Sequence, residues 1–205
     1  MLSSREAATE WENAMRVTRE QMAEHRQKIL ESAGKLFRAK GFEAVTVADV
    51  MKAAGLTHGG FYGHFKSKDD LIAETLTHAL RGDKSGGALA EFAKRYLSPK
   101  HRDDLAGGCS TAGLAAETIR QAPAARAAMT AGLRENIQRL TAQAEGATEA
   151  ARRRAAIGHW SAMVGAVILA RLSKDRELSD EILGETRAWL EEKRSQRQVA
   201  ARAKK

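Results

Sequence analysis

Apolar residues in this chain recur at intervals of three and four, and the breaks between the runs mark out a series of helices. From Gln21 to Lys40, Met22, Ile29, Leu30, Ala33, Leu36 and Phe37 fall on one face, and Gly41 ends the run. Thr46 followed by Asp49 is a capping box, in which a hydroxyl and a carboxylate satisfy free N–H groups at a helix start. Val47, Val50, Met51 and Ala54 then share a face of a short helix, which Gly55 stops. Leu56 plugs the corner and Thr57 is placed to cap a second short helix carrying His58, Gly59, Gly60, Phe61, Tyr62 and His64. Ser67 with Asp70 forms another capping box, opening a helix through Leu71, Ile72, Leu76 and Leu80 to Arg81 and Gly82.

A helix, a tight turn with glycine and a second helix form the pattern of a helix-turn-helix DNA reader. The second helix is a poor structural element by itself. Gly59 and Gly60 each weaken a helix by about 1 kcal/mol relative to alanine. Glycine suits a place where another backbone approaches closely, as a DNA strand does. Phe61, Tyr62 and Phe65 can anchor this helix to its neighbours, while Thr57, His64 and the Tyr62 hydroxyl can donate to phosphate. The competing account is a helical hairpin with aromatic packing and no nucleic acid.

This segment resembles the DNA-binding signature of the tetracycline-repressor (TetR) family. The resemblance rests on Thr46, Ala54-Gly55, Thr57, Gly59 and Gly60, Phe61-Tyr62, His64-Phe65 and Lys68-Asp69-Asp70-Leu71. It extends upstream through Arg26 to Gly41-Phe42, about the first third of the chain. The resemblance implies phosphate contacts from Thr46, Thr57, Tyr62, His64 and Lys68, and base-edge contacts from His58, Gly59, Gly60 and Phe61. It also implies a dimer, a linker helix after Ser67 and a diverged effector domain beyond it. Met15 resembles a common family start.

After Asp83 the helices lengthen. The pattern predicts helices over 88–97, 110–121, 124–144, 149–172 and 180–193, with a polar loop at Lys100, His101, Arg102 and Asp103. Met129, Leu133, Ile137 and Leu140 form the inner face of the third of these. The expected fold is all-α: an N-terminal extension (1–20), a three-helix helix-turn-helix domain with linker helix (21–82), a helical effector and dimerisation domain (83–194) and a disordered basic tail (195–205). Two prolines and few aromatic residues agree with a helical protein.

The helix over 149–172 carries two stripes. Gly158, Ala162, Ala166 and Ala170 form a small-residue stripe; Trp160, Val164, Ile168 and Leu172 form a bulky one. Two apolar faces call for a second partner, so Gly158, Ala162, Ala166 and Ala170, with Leu183, Trp189 and Leu190, are expected at a homodimer interface. A central helix buried within a monomer is the alternative. An effector site is expected to involve Cys109, Leu114, Met129, His159, Trp160 and Met163. Cys109, after Gly107-Gly108 at a helix start, sits where N–H dipoles favour a thiolate; the TetR-like repressor of N-ethylmaleimide reductase has a similar Gly-Cys helix start. The plainer account makes Cys109 a small buried hydrophobe and His159 a satisfied core histidine.

Charge changes the picture little. The formal net charge is +8, but acids and bases nearly balance through residue 82, and much of the excess lies in the last residues. For most of Arg26, Lys28, Lys35, Arg38 and Lys40 a solvated basic face is expected rather than DNA contact. The polar start has no apolar signal-peptide core, and the apolar run at 160–170 is short of the roughly 20 residues that cross a bilayer. With one cysteine, these features lead to the expectation of a cytoplasmic protein with no membrane partner. The histidines lack metal-ligand spacing, and no nucleotide, hydrolase or zinc-protease motif is present. Neither a cofactor nor an enzymatic activity is expected. The expected function is a ligand-responsive repressor that leaves a palindromic operator when a small molecule binds. An electrophile or oxidant sensor using Cys109, and a helical small-molecule binder or adaptor without DNA, are the alternatives.

Overall fold

The described part of the chain, in a computed structural model, comprises residues 4–81 and 89–202, with side chains described for 18–81 and 90–193. Gly82, Ala88 and residues 203–205, parts of the expected linker helix, next helix and tail, lie outside it. The elements are α1 (Ser4–Lys40), α2 (Val47–Ala53), a 3-10 helix η1 (His58–Gly63), α3 (Lys68–Leu80), α4 (Leu89–Tyr96), α5 (Pro99–Asp103), α6 (Ser110–Thr118), α7 (Pro123–Gln143), α8 (Glu149–Leu172) and α9 (Arg176–Arg202). All are helical, as the apolar spacing predicts.

The local signals hold where they are strongest. Thr46 Oγ1 accepts from the Asp49 N–H and the Asp49 carboxylate accepts from the Thr46 N–H, completing the box. Gly41 and Gly55, at φ of 82° and 73°, end α1 and α2 in the left-handed geometry that costs glycine nothing. Ser67 caps α3 through the Asp70 N–H, but Asp70 reaches back to the Lys66 N–H rather than to that of Ser67.

Four expectations need correction. The first helix begins at Ser4 instead of Gln21, so most of the expected extension continues α1. The last helix begins at Arg176 and continues to Arg202, through most of the segment expected to be disordered. The expected loop after Pro99 is helix α5, because Pro99 opens it and Ser98 Oγ accepts from the His101 N–H. The helix carrying Tyr62 has 3-10 geometry, and Thr57 makes no side-chain cap to it.

Two apolar cores hold the helices. The first joins Ile29, Phe37, Phe42, Met51, Phe61, Phe65 and Leu71 with Leu114, Ala125 and Met129 of α6 and α7. The second joins Tyr96, Leu140, Trp160, Met163, Val167 and Leu183. A boundary at residue 82 therefore does not separate two cores: α6 and the start of α7 complete the first. Helix α8 is long and apolar enough to cross a membrane by length and composition alone, but nearly half of that stretch is buried in the fold. It packs on α6, α7 and α9.

Candidate nucleic-acid interface and effector cavity

The first core presents a hard platform. Phe61 is 1% exposed, stacked on Phe65 at 5.7 Å and edge-on to Tyr62 at 5.2 Å. Phe61 is thus an anchor rather than a base-edge contact, which corrects the role the resemblance implied. Its spacing of four from Phe65, both aromatic, was the sequence signal for this. Tyr62, by contrast, is 71% exposed. Thr46, Thr57, His58, Gly59 and Gly60 are also exposed, while His64 and Lys68 are half-buried.

Neither Gly59 nor Gly60 of η1 is required by the fold. A Cβ at Gly59 would meet nothing within 4 Å, and one at Gly60 would make ordinary contacts at 3.7 Å or more. Neither has a positive φ. A bare backbone stretch that the protein's own packing does not demand is suited to an external backbone at close range.

Behind the platform, Arg26 of α1 pairs with Glu74 of α3 and lies over the Phe65 ring at 4.8 Å. It fixes η1 against α1 and α3, so it does not belong to a solvated basic face. His64 stands 6.3 Å from His25, ring to ring. Burial, then the charges of His25 and Arg26, hold the His64 pKa below the ordinary histidine value.

A cavity of about 620 Å³ lies at the junction of the two cores. Lys35 and Arg38 of α1 and Leu80 of α3 form one wall; Tyr96, Cys109, Asn136 and Trp160 belong to others. Of the residues expected at an effector site, Cys109 and Trp160 line this cavity. Leu114 and Met129 are instead buried in the first core, and Met163 in the second. His159 is buried on α8 and does not line the cavity. These four have apolar or helical periodicity like lining residues, but that periodicity served packing.

Polar contacts missed by the sequence reading join the cavity to the platform. Arg38 Nε donates to the Ala106 carbonyl at 2.6 Å, and an η nitrogen donates to Ser110 Oγ at 3.3 Å. Burial lowers the pKa of this guanidinium more strongly than Asp104 raises it. At the other end of α6, the Glu117 carboxylate accepts from the Phe42 N–H at 2.7 Å and closes over Gly41. Helix α6 thus touches the cavity at its start and the α1–α2 corner at its end.

His101 Nδ1 lies 2.7 Å from the Tyr96 carbonyl, while Nε2 accepts from the Cys109 N–H at 3.2 Å. The ring is therefore neutral with its proton on Nδ1, and burial keeps its pKa low. Arg171 of α8 donates to the carbonyls of Arg102 and His101, and buried Arg102 bonds Ser179 and Asp180 of α9. The segment expected to be a loop is thereby a junction of α5, α8 and α9.

The sequence model of bacterial regulatory proteins of the tetR family matches residues 29–75, from the middle of α1 to α3. These residues form a tetR-family domain. The HTH-type transcriptional regulator AcrR of Shigella flexneri is 42% identical over 59 residues, which are 29% of this chain and 27% of that protein. The HTH-type transcriptional repressor KstR2 of Mycolicibacterium smegmatis is 39% identical over 59 residues, 29% of each chain. The chain thus spans under a third of the length of these curated relatives. Over the whole fold, Escherichia coli NemR in its reduced form superposes with a TM-score of 0.67 at 20% identity, covering 81% of this chain and 94% of that one. A TetR-family regulator from Agrobacterium tumefaciens gives 0.66 at 21% identity, covering 83% and 98%. The tetR-family domain is therefore matched in sequence, and the remaining helices in fold. Among the described residues no cluster of three histidine, cysteine or acidic side chains could hold a metal.

The expected dimer residues divide. Gly158 is exposed and Ala162 half-exposed, but Ala166 and Ala170 are buried in the second core, together with Leu183 and Leu190. The small-residue stripe faces inward at its C-terminal end because α9 packs there. Outward lie Ile157, Leu169, Leu172, Leu178 and Trp189, all exposed.

Proposed function

We propose that the chain is a cytoplasmic, non-enzymatic transcriptional regulator, a dimeric repressor that leaves its operator when a small molecule enters the cavity. The observation that carries this reading is the exposed Thr57–Tyr62 surface, backed by buried Phe61 and bearing two glycines that the fold does not need. Thr46, Thr57, Tyr62, His64 and Lys68 hold phosphates in this account, and His58, Gly59 and Gly60 lie at base edges. The outer face of α8 and α9, with Leu169, Leu172 and Trp189, joins two copies so that two half-sites are read together. A cavity ligand that fits only one spacing of the two readers shifts the population off DNA.

Fluorescence anisotropy with DNA from upstream of the chain's own gene tests this. Saturable binding that weakens as salt rises and is competed poorly by unrelated DNA is the expected result. Equal binding to any DNA, or none, would favour a helical binder or adaptor instead. A second input, modification by an electrophile or oxidant, is favoured by the half-buried position of Cys109 on the cavity wall. Treating the protein–DNA complex with N-ethylmaleimide separates the two inputs: release in wild type but not in Cys109→Ser supports the thiol route.

A further inference from the structure

We propose that the cavity takes a flat, apolar ligand carrying an anionic oxygen group, held by the Tyr96 hydroxyl and the Asn136 amide. This rests on the effector reading above and names the chemistry of that effector. Tyr96 is 6% exposed, and its hydroxyl lies beside the weakly polar Cys109 thiol but makes no hydrogen bond of normal geometry. Asn136 Nδ2 is likewise buried and unpartnered, although its Oδ1 accepts from Arg139. Unsatisfied buried polar atoms are uncommon and costly, so two of them among the residues lining one cavity need a reason.

Both groups offer protons. Burial, reinforced by the neighbouring Cys109 thiol, raises the Tyr96 pKa far above its ordinary range, so the hydroxyl remains a donor at every working pH. The Asn136 amide nitrogen is a donor by its chemistry. Both atoms are shut off from water in the empty cavity, so a side-chain shift at the wall precedes contact with a ligand. An acceptor arriving there gives up its own water but satisfies two donors that have no water to lose.

The charges around the cavity point the same way. Lys35 and Arg38 line it, with Arg95 and Arg139, which have partners of their own, and Glu31 is the single carboxylate among the described lining residues. Arg38 forms no ion pair among the described residues, its bonds going to a carbonyl and a hydroxyl. A negative group near it offsets the cost of holding that guanidinium half out of water. The apolar surface is aromatic: Phe92 and Trp160 lie 6.3 Å apart with nearly parallel rings, and Tyr96 stands 5.4 Å from Trp160. Flat rings stack on such a surface. Because Lys35 and Arg38 belong to α1, the ligand touches the helix that carries the DNA-binding domain directly.

The test uses three probes with one ring system and different charge: 1-naphthoate, 1-naphthalenemethanol and 1-naphthylmethylamine. Calorimetry on the full chain should rank them in that order, with naphthoate at least about tenfold tighter than the alcohol. Tyr96→Phe should weaken naphthoate about tenfold, yet leave the ligand-free melting temperature equal or higher, because it removes an unpaired hydroxyl. Lys35→Gln, at an exposed position that packing does not need, should also weaken naphthoate. Since Cys109 is the sole cysteine, saturating naphthoate should slow its alkylation by iodoacetamide. Absence of naphthoate binding to millimolar concentration, equal binding of the amine, or unchanged affinity in Tyr96→Phe would each overturn the proposal. None of these readouts involves DNA. Naphthoate binding without release of DNA would contradict the repressor reading and leave the ligand assignment standing.

Discussion

Around Phe61, side chains from α1, α2, η1 and α3 meet with little apolar surface left outside, Met22 and Tyr62 being the exceptions. At α8 and α9 the second core is equally buried, but Leu172 at 73% exposure and Leu169 at 56% remain on the surface. The first region closes on itself and exposes polar groups and glycine. The second closes and keeps an apolar face in reserve. In the proposed function the first region works on a charged, hydrated partner, which calls for a rigid backing and donors in front, and the second on a copy of itself, which calls for unspent apolar surface. The two are joined by α6, which gives Leu114 to the first core while Cys109 and Ala112 pack on the second.

The largest effect should come from emptying the platform. Phe61→Ala should cost roughly 3–5 kcal/mol of unfolding free energy, measured by denaturant titration, and abolish DNA binding. Leu172→Glu, outside the second core, should leave the monomer folded and instead shift sedimentation towards the monomer. If Leu172→Glu unfolds the chain, or Phe61→Ala is neutral, the contrast between the two regions fails.

How much could be read in advance follows the same division. The Thr46 box, the Gly41 and Gly55 stops and the Ser67 cap are local in sequence, so each was visible within a few residues of itself. Phe61 was ambiguous because its neighbour Tyr62 has the same aromatic character and the opposite orientation; only the turn geometry separates them. The cavity is not legible as a set, since Lys35, Tyr96 and Asn136 come from three different helices and Cys109 from the N-cap of a fourth. Leu183 and Leu190 on α9 looked free because a helix pattern shows that a face is apolar, not which neighbour covers it. The bonds of Glu117 to Phe42 and of Arg102 to Asp180, each spanning over 70 residues, leave no sequence signature of their own.

Cutting the link between the regions should cost less than emptying either. Glu117→Ala leaves the Phe42 N–H without its acceptor, an expected loss of about 1–2 kcal/mol in chemical denaturation. Glu117→Gln keeps an acceptor and should restore most of it. In the Ala variant, operator affinity without ligand should change little while the response to a cavity ligand weakens. An unaltered response would remove α6 as the connection.

Acidification should strain both regions at once, through one histidine each. His64 and His101 have folded pKa values held below the ordinary value near 6.5, mainly by burial. The unfolded chain therefore binds more protons than the folded one between those values. The stability this gives is complete above about pH 7 and lost as pH falls through 6.5 and below. Melting temperature should drop from pH 7.5 to 5.5, and His64→Gln or His101→Gln should each flatten the decline. A melting temperature that rises on acidification would contradict the neutral assignment of both rings.

Whether the exposed side of η1 reads DNA from a fixed platform is decided by comparing Tyr62→Phe with His58→Ala across a panel of operator variants. Tyr62→Phe keeps the ring and its packing on Phe61 and removes one donor. It should weaken every sequence by a similar amount, about 1 kcal/mol, as a lost phosphate bond does. His58→Ala should change the ranking of the sequences instead. Unchanged affinity in Tyr62→Phe at moderate salt, or a uniform loss from His58→Ala with no change of ranking, would contradict the placement of η1 on DNA.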